Sequence, residues 1–121
     1  DKFLFPDGSA WLSEPGLGSD YGLPDVWVPA AGAFRAVELK CGPDPMAKFE
    51  PSQRKFHKMA IARGAATFCL SICSVTSIAG FRIVVDQDKK LVAELSTYWE
   101  VAEFDHRELV DWLTVMCLGT K

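Results

Sequence analysis

The chain has 121 residues, 49% of them apolar, and a net charge of −3, which suits a single compact domain, residues 1–121, with one hydrophobic core. This acidic balance excludes a surface coated with Lys and Arg, the usual basis of non-specific nucleic-acid affinity, so any basic surface must be local. No run approaches the roughly 20 apolar residues of a membrane span, and no signal peptide is visible, so no membrane partner is expected.

The first part of the chain predicts loops followed by a hairpin. Residues 1–24 contain many Pro and Gly residues, which argue against a long helix there. Residues 26–28 and 34–39 are short apolar runs that predict two strands, and residues 29–33 form the turn between them. Residues 41–51 are rich in proline and predict a surface loop.

A strand, a helix and a second strand should come next. Ser52 can act as an N-cap and Gly64 as a C-terminal stop, which predicts a helix over residues 53–63. Residues 65–73 then return as an apolar strand. In a crossover unit of this order, the strands before and after the helix run parallel.

The last part of the chain predicts a second hairpin and a final helix. Residues 81–85 and 91–95 flank a polar turn. Asp105 caps the helix, with Glu108 as its capping-box partner, and Gly119 ends it. Apolar residues lie on more than one face of this helix: Leu109, Val110, Trp112, Leu113 and Met116. That surplus apolar surface predicts a symmetric homodimer through this half of the chain.

Together these elements predict an α/β fold in which a small mixed β-sheet carries one helix on each face. The four cysteines form no CxxC pair and show no zinc-like spacing with histidine. Cysteine usage of this kind fits a reducing compartment, so we expect a cytoplasmic protein.

Three charged side chains are expected to converge at one edge of this sheet. Asp25 precedes the first strand of the hairpin, and Glu38 and Lys40 lie near the end of the second. Because side chains alternate along a strand, Glu38 and Lys40 share one face while Leu39 should point into the core. Two carboxylates beside an ammonium group can hold a hard divalent cation and activate water, as metal-dependent phosphodiester hydrolysis requires.

The order of three motifs resembles the PD-(D/E)xK nuclease superfamily, in particular its virus-type replication-repair nuclease (VRR-Nuc) branch. The motifs are Gly22-Leu23-Pro24-Asp25, then Val37-Glu38-Leu39-Lys40, then Pro51-Ser52-Gln53-Arg54-Lys55-Phe56-His57 at the start of a helix. They span about residues 20–73, and the remainder of the chain shows no resemblance. The resemblance implies a restriction-endonuclease-like core and DNA endonuclease activity with Mg²⁺ or Mn²⁺ as cofactor.

The resemblance also implies roles for individual residues. Asp25, Glu38 and the backbone carbonyl of Leu39 would be the metal ligands. Lys40 would lie beside the attacking water and the scissile phosphate, and Gln53 would be an active-site residue. A further acidic ligand in many members of the superfamily has Glu14 as its candidate here, with Asp20 as a weaker one.

DNA is the expected partner, and basic residues around the motifs are the candidate contacts: Arg35, Lys48, Arg54, Lys55, His57 and Lys58. His57 could instead be a solvated helix histidine. We expect a structure-specific endonuclease acting on branched or flapped DNA, in repair, recombination or phage replication within a bacterial or phage-infected cell. The alternatives are a restriction-like or nicking nuclease of a phage or mobile element, and a nuclease-fold module that binds nucleic acid without cutting it.

Overall fold

The structure, a computed structural model, describes residues 11–12 and 23–118. Its strands are β1 (Trp11–Leu12), β2 (Val26–Ala30), β3 (Ala33–Cys41), β4 (Thr67–Ile72), β5 (Ser77–Val85) and β6 (Leu91–Glu100). Its helices are α1 (Pro51–Ala62) and α2 (His106–Leu118), with short 3₁₀ turns at Pro45–Lys48 and Val101–Glu103. The five longer strands form one mixed sheet in chain order, and the two residues of β1 extend it beside β2. The predicted mixed α/β fold is therefore confirmed.

The first hairpin forms as predicted and closes through a two-residue turn. Strands β2 and β3 pair antiparallel, with Val26 opposite Val37. The turn residues Ala31 and Gly32 have φ values of 54° and 83°, the left-handed conformations that match the twist of a tight hairpin. Asp25 immediately precedes β2, so this pairing places it beside the C-terminal part of β3, which begins at Glu38.

The crossover from β3 through α1 to β4 makes these two strands parallel, as predicted. Gly64 ends α1 with φ at 92°, and hydrogen bonds from the N–H groups of Gly64 and Ala65 to Ile61 and Ala60 measure 3.0 and 2.9 Å. This pattern satisfies the last carbonyls of the helix. The predicted stop at Gly64 is confirmed.

The predicted N-cap of α1 is wrong. The helix begins at Pro51, not after Ser52, and Glu50 occupies the cap position. Proline is favoured at the first helical position because its φ is already helical and it has no N–H to satisfy. The Glu50 N–H donates to Oε1 of Gln53 at 2.9 Å. Gln53 thus closes the start of the helix by reaching back over one turn.

The sheet separates two apolar clusters, one under each helix. On one face, α2 packs on β2, β3 and β4 through a cluster that includes Val28, Val37, Phe68, Leu109 and Leu113. On the other face, residues of β4, β5 and β6 pack with Phe49 from the loop before α1 and with Ile61 from the helix itself. One helix therefore covers each face, as predicted.

Three of the large apolar residues of α2 belong to the core of the protomer. Leu109 and Leu113 are fully buried, and Trp112 is 9% exposed. The Trp112 indole N–H also donates to Ser96 Oγ at 2.9 Å. The predicted surplus of apolar surface on this helix is therefore wrong at these positions, because the sheet covers them. The predicted N-cap is confirmed: Asp105 Oδ1 accepts the Glu108 N–H at 3.0 Å.

The second hairpin has its turn where predicted, with Val85 opposite Leu91, but its strands are longer than predicted at the open end, where Ser77 lies opposite Glu100. Gly80, within β5, lies under two indole rings. A Cβ atom at Gly80 would lie 2.9 Å from the ring of Trp99 and 3.0 Å from that of Trp112. These rings pack edge to face with centroids 5.3 Å apart. The strand continues through glycine because a side chain would displace them.

Among the described residues, neither helix has the length and apolar character needed to cross a membrane.

Candidate active site

Asp25 is fixed by the backbone of the neighbouring strand. It lies in a bend immediately before β2, and its Oδ2 accepts the Leu39 N–H at 2.9 Å. In an extended strand the N–H and C=O of one residue point to the same side. The Leu39 carbonyl therefore lies on the side of β3 that faces Asp25.

Glu38 is completely buried, whereas Leu39 is 36% exposed. The prediction that Leu39 points into the core is therefore wrong. Both faces of the sheet are covered by a helix. At this end of β3, the face that packs against α1 is less exposed to solvent than the opposite face. The side-chain alternation was predicted correctly, but Glu38 and not Leu39 occupies the buried side.

Gln53 joins Glu38 and Lys40. Its Nε2 donates to Glu38 Oε1 at 3.3 Å, and its Oε1 accepts from Lys40 Nζ at 2.9 Å. The same Oε1 accepts the Glu50 N–H described above. The structure therefore brings together three residues that the sequence analysis placed in one site: Glu38, Lys40 and Gln53. Lys40 Nζ also lies 5.0 Å from the centroid of the Phe49 ring, within range of a cation–π interaction.

His57 contacts Glu38 from the next turn of α1. Its Nε2 lies 2.9 Å from Glu38 Oε2, and both side chains are fully buried. The alternative of a solvated helix histidine is wrong, and burial also removes His57 from the candidate DNA contacts. Sequence reasoning missed this contact, because nothing in the sequence showed that Glu38 is buried beneath α1.

The environment of Glu38 disfavours its charged form. Burial raises the pKa of this carboxyl, and the charge and hydrogen bonding of the adjacent Asp25 raise it further, while the hydrogen bond from His57 opposes the shift. Burial, followed by the charge of Glu38, also raises the pKa of the Cys69 thiol to about 12. Cys69 is therefore a neutral thiol beside the carboxylate pair.

The carboxylates of Asp25 and Glu38 form a donor set that suits a small divalent cation. Two adjacent like charges in a desolvated position are stabilised by positive charge between them. Carboxylate and carbonyl oxygens are the ligands that Mg²⁺ and Mn²⁺ prefer, and Mg²⁺ keeps several waters of its own. Within residues 11–12 and 23–118, no cluster of three or more His, Cys, Asp or Glu side chains is arranged to hold a metal. The candidates for a third carboxylate, Glu14 and Asp20, lie outside the described residues.

The candidate DNA contacts divide into two groups. Arg35 and Arg54 are half-buried and stabilise backbone turns: Arg35 donates to the carbonyls of Ala30 and Ala31 at 2.8 Å each. Arg54 donates to two carbonyls of the loop before α1, at 3.2 and 2.6 Å. Three lysines remain exposed to solvent: Lys48, Lys55 and Lys58. These lysines are therefore the candidate contacts whose charge remains accessible on α1 and its preceding loop.

Comparison with known proteins gave no match to a protein-family model, to a curated protein or to a solved structure.

Proposed function

We propose that the chain is a divalent-metal-dependent DNA endonuclease that hydrolyses phosphodiester bonds on a restriction-endonuclease-like core. The observation that supports this best is the arrangement around one end of β3. There the Asp25 carboxylate is adjacent to that of Glu38, and the Lys40 ammonium group is tied to Glu38 through Gln53.

Each side chain has a distinct part in this proposal. Asp25, Glu38 and the Leu39 carbonyl would hold Mg²⁺ or Mn²⁺, which supplies charge neutralisation and an acidified water when bound. Lys40 stabilises negative charge on the phosphate and orients the attacking water. Gln53 limits the movement of Lys40 by accepting its hydrogen bond at 2.9 Å.

The substrate class we propose is branched or flapped DNA in repair, recombination or phage replication. The protein carries a net charge of −3, so long-range attraction to any DNA duplex is weak. The exposed Lys55 and Lys58 lie on the same helix as Gln53, so one helix carries both local positive charge and a residue of the site. Binding of this kind favours recognition of a local DNA shape over uniform coating of a duplex.

One observation favours the alternative of a nucleic-acid-binding module that does not cut. Both oxygens of Glu38 already have protein partners, Gln53 and His57. A buried carboxylate that is satisfied in this way can also serve to join β3 to α1. The restriction-like or nicking alternative uses the same residues as the main proposal and differs only in the DNA that is cut.

Incubation of supercoiled plasmid with purified protein distinguishes cutting from binding. We expect conversion to relaxed or linear DNA with Mg²⁺, and none with a chelator or with Asp25→Asn. The matched control is Asp88→Asn, which removes an exposed carboxylate from the β5–β6 turn and should cut as the wild type does. If the wild type bound DNA without Mg²⁺-dependent cutting, the proposal would be contradicted. If it cuts, labelled flaps, junctions and duplexes define the substrate.

A further inference from the structure

We infer that His57 is a positioning residue for Glu38: it fixes the carboxylate so that the metal site is formed before the cation arrives. This inference rests on the proposed metal site and assigns a function to a residue that the proposed chemistry does not use. His57 cannot contact DNA directly because it is fully buried, so it acts through Glu38.

Helix α1 holds both oxygens of Glu38. His57 Nε2 lies 2.9 Å from Oε2, and Gln53 Nε2 lies 3.3 Å from Oε1. The two donors come from successive turns of one helix and so keep a fixed spacing. A carboxylate held at both oxygens cannot rotate freely about its last torsion. Each oxygen keeps a further lone pair for a cation.

The imidazole of His57 is itself held between two aromatic rings. The rings of Phe49 and Phe56 pack edge-on against it, with centroids 5.3 and 5.4 Å away. Its Nδ1 is buried and has no hydrogen-bond partner among residues 11–12 and 23–118. A protonated Nδ1 would leave a buried donor unsatisfied, so the favoured tautomer carries its proton on Nε2, where it donates to Glu38.

Partners of this kind govern metal affinity. Hydrogen-bond donors behind a metal ligand orient it, and their loss costs about 10- to 100-fold in metal affinity or activity. Without His57, Glu38 would still be present but free to adopt other rotamers. Binding of the cation would then have to restrict the Glu38 side chain to one rotamer, and this loss of entropy would weaken binding.

The test measures metal affinity directly, with Mn²⁺ followed by electron paramagnetic resonance and Mg²⁺ by calorimetry. His57→Phe keeps the ring and removes the donor, His57→Leu is a smaller second variant, and His57→Gln restores an N–H near the position of Nε2. We expect about 10- to 100-fold weaker metal binding for His57→Phe and His57→Leu. His57→Gln should recover most of the affinity, and Met59→Gln, an exposed change on the same helix, should bind as the wild type does.

A spectroscopic measurement on the wild type covers the case in which variants fold poorly. The ¹⁵N resonances of His57 should show the Nε2–H tautomer and should shift saturably on addition of Mg²⁺, because Glu38 changes its partners. The inference about His57 would be overturned if His57→Phe bound metal with wild-type affinity, or if the His57 resonances did not shift with Mg²⁺. Neither result would contradict the proposed endonuclease function. A wild type that binds metal but does not cut would refute the proposed function alone, and a wild type that binds no metal would refute both.

Discussion

Lys40 and Gln53 are joined by a 2.9 Å hydrogen bond from Nζ to Oε1, and the same oxygen accepts the N–H that precedes α1. One amide therefore fixes both the start of the helix and the position of the lysine. The geometry of the site and the capping of α1 therefore depend on each other.

Removal of either carboxylate should abolish cleavage, because each provides a ligand to a sparse metal site. Asp25→Ala is expected to remain folded. Glu38→Ala leaves a cavity and an unsatisfied His57 donor in a buried position, at a cost of about 1–3 kcal/mol, so Glu38→Gln is the better variant. Plasmid cleavage with Mg²⁺ and circular dichroism check both points. Near wild-type cutting by any of these proteins would refute the site.

Lys40→Ala should lose most turnover yet bind metal normally, because the ammonium group acts on water and phosphate and not on the cation. Single-turnover cleavage and calorimetric titration with Mg²⁺ measure the two quantities separately. Gln53 keeps its contacts to Glu50 and Glu38 in this variant, so the helix start should be unchanged. Loss of metal binding in Lys40→Ala would show that the assigned role is wrong.

In the absence of divalent metal, Glu38 should make the protein less stable as the pH rises. Burial raises its pKa in the folded state above the ordinary value of 4.5. Between that value and the higher folded pKa, the folded protein binds more protons than the unfolded chain, so the free energy of unfolding falls with increasing pH. Below this window both states are protonated and the penalty is absent.

Comparison of wild type with Glu38→Gln isolates this contribution, since the amide does not titrate. Urea unfolding over a pH series should give a downward slope in the wild type that the variant lacks. Added Mg²⁺ should reduce the slope, because the cation favours the charged carboxylate. Parallel curves for the two proteins without metal would contradict the prediction.

Gly80→Ala should destabilise the sheet, because its Cβ would lie 2.9 Å from the Trp99 ring. Overpacking of this kind costs about 1–3 kcal/mol. Trp99→Leu supplies the second arm of a double-mutant cycle, since a smaller side chain makes room for the methyl group. Thermal unfolding of the four proteins gives the coupling energy. If the two substitutions changed the free energy of unfolding additively, the destabilisation by Gly80→Ala would not come from its contact with Trp99.

The homodimer stays a prediction, but the apolar face of α2 no longer supports it. Leu109, Trp112 and Leu113 pack against the sheet, so a second copy would have to use other surfaces. Light scattering at high micromolar concentration in moderate salt decides the matter. The mass of a single chain under these conditions would contradict the dimer and favour single-strand nicking.

Local patterns predicted most of the fold. The apolar runs around Val26 and Val37, with a glycine between them, indicated the hairpin, and from it the approach of Asp25 to Glu38. Gly64 and Asp105 marked helix ends correctly because the geometry of caps is set by a few neighbouring residues. Ser52 failed as the N-cap because Pro51 and Gln53 favour a helix start two residues earlier.

The features that could not be predicted from the sequence are those that depend on which helix or strand covers a given surface. Alternation along β3 separates Glu38 from Leu39 but does not say which of them is buried more deeply. That outcome depends on how closely α1 covers one face. The same limitation hid the partner of His57 and made the apolar residues of α2 resemble an interface, since burial by distant strands has no local signature.

The hairpin and crossover described above confine the described site to one continuous stretch of chain, from Asp25 to His57. Strands β5 and β6 and helix α2 contribute no ligand or lysine to it. Contacts between residues close in sequence form with a small loss of chain entropy. The carboxylate pair and its helix can therefore assemble early in folding, before the rest of the sheet. We expect the C-terminal strands and helix to pack later and to close the core around this site.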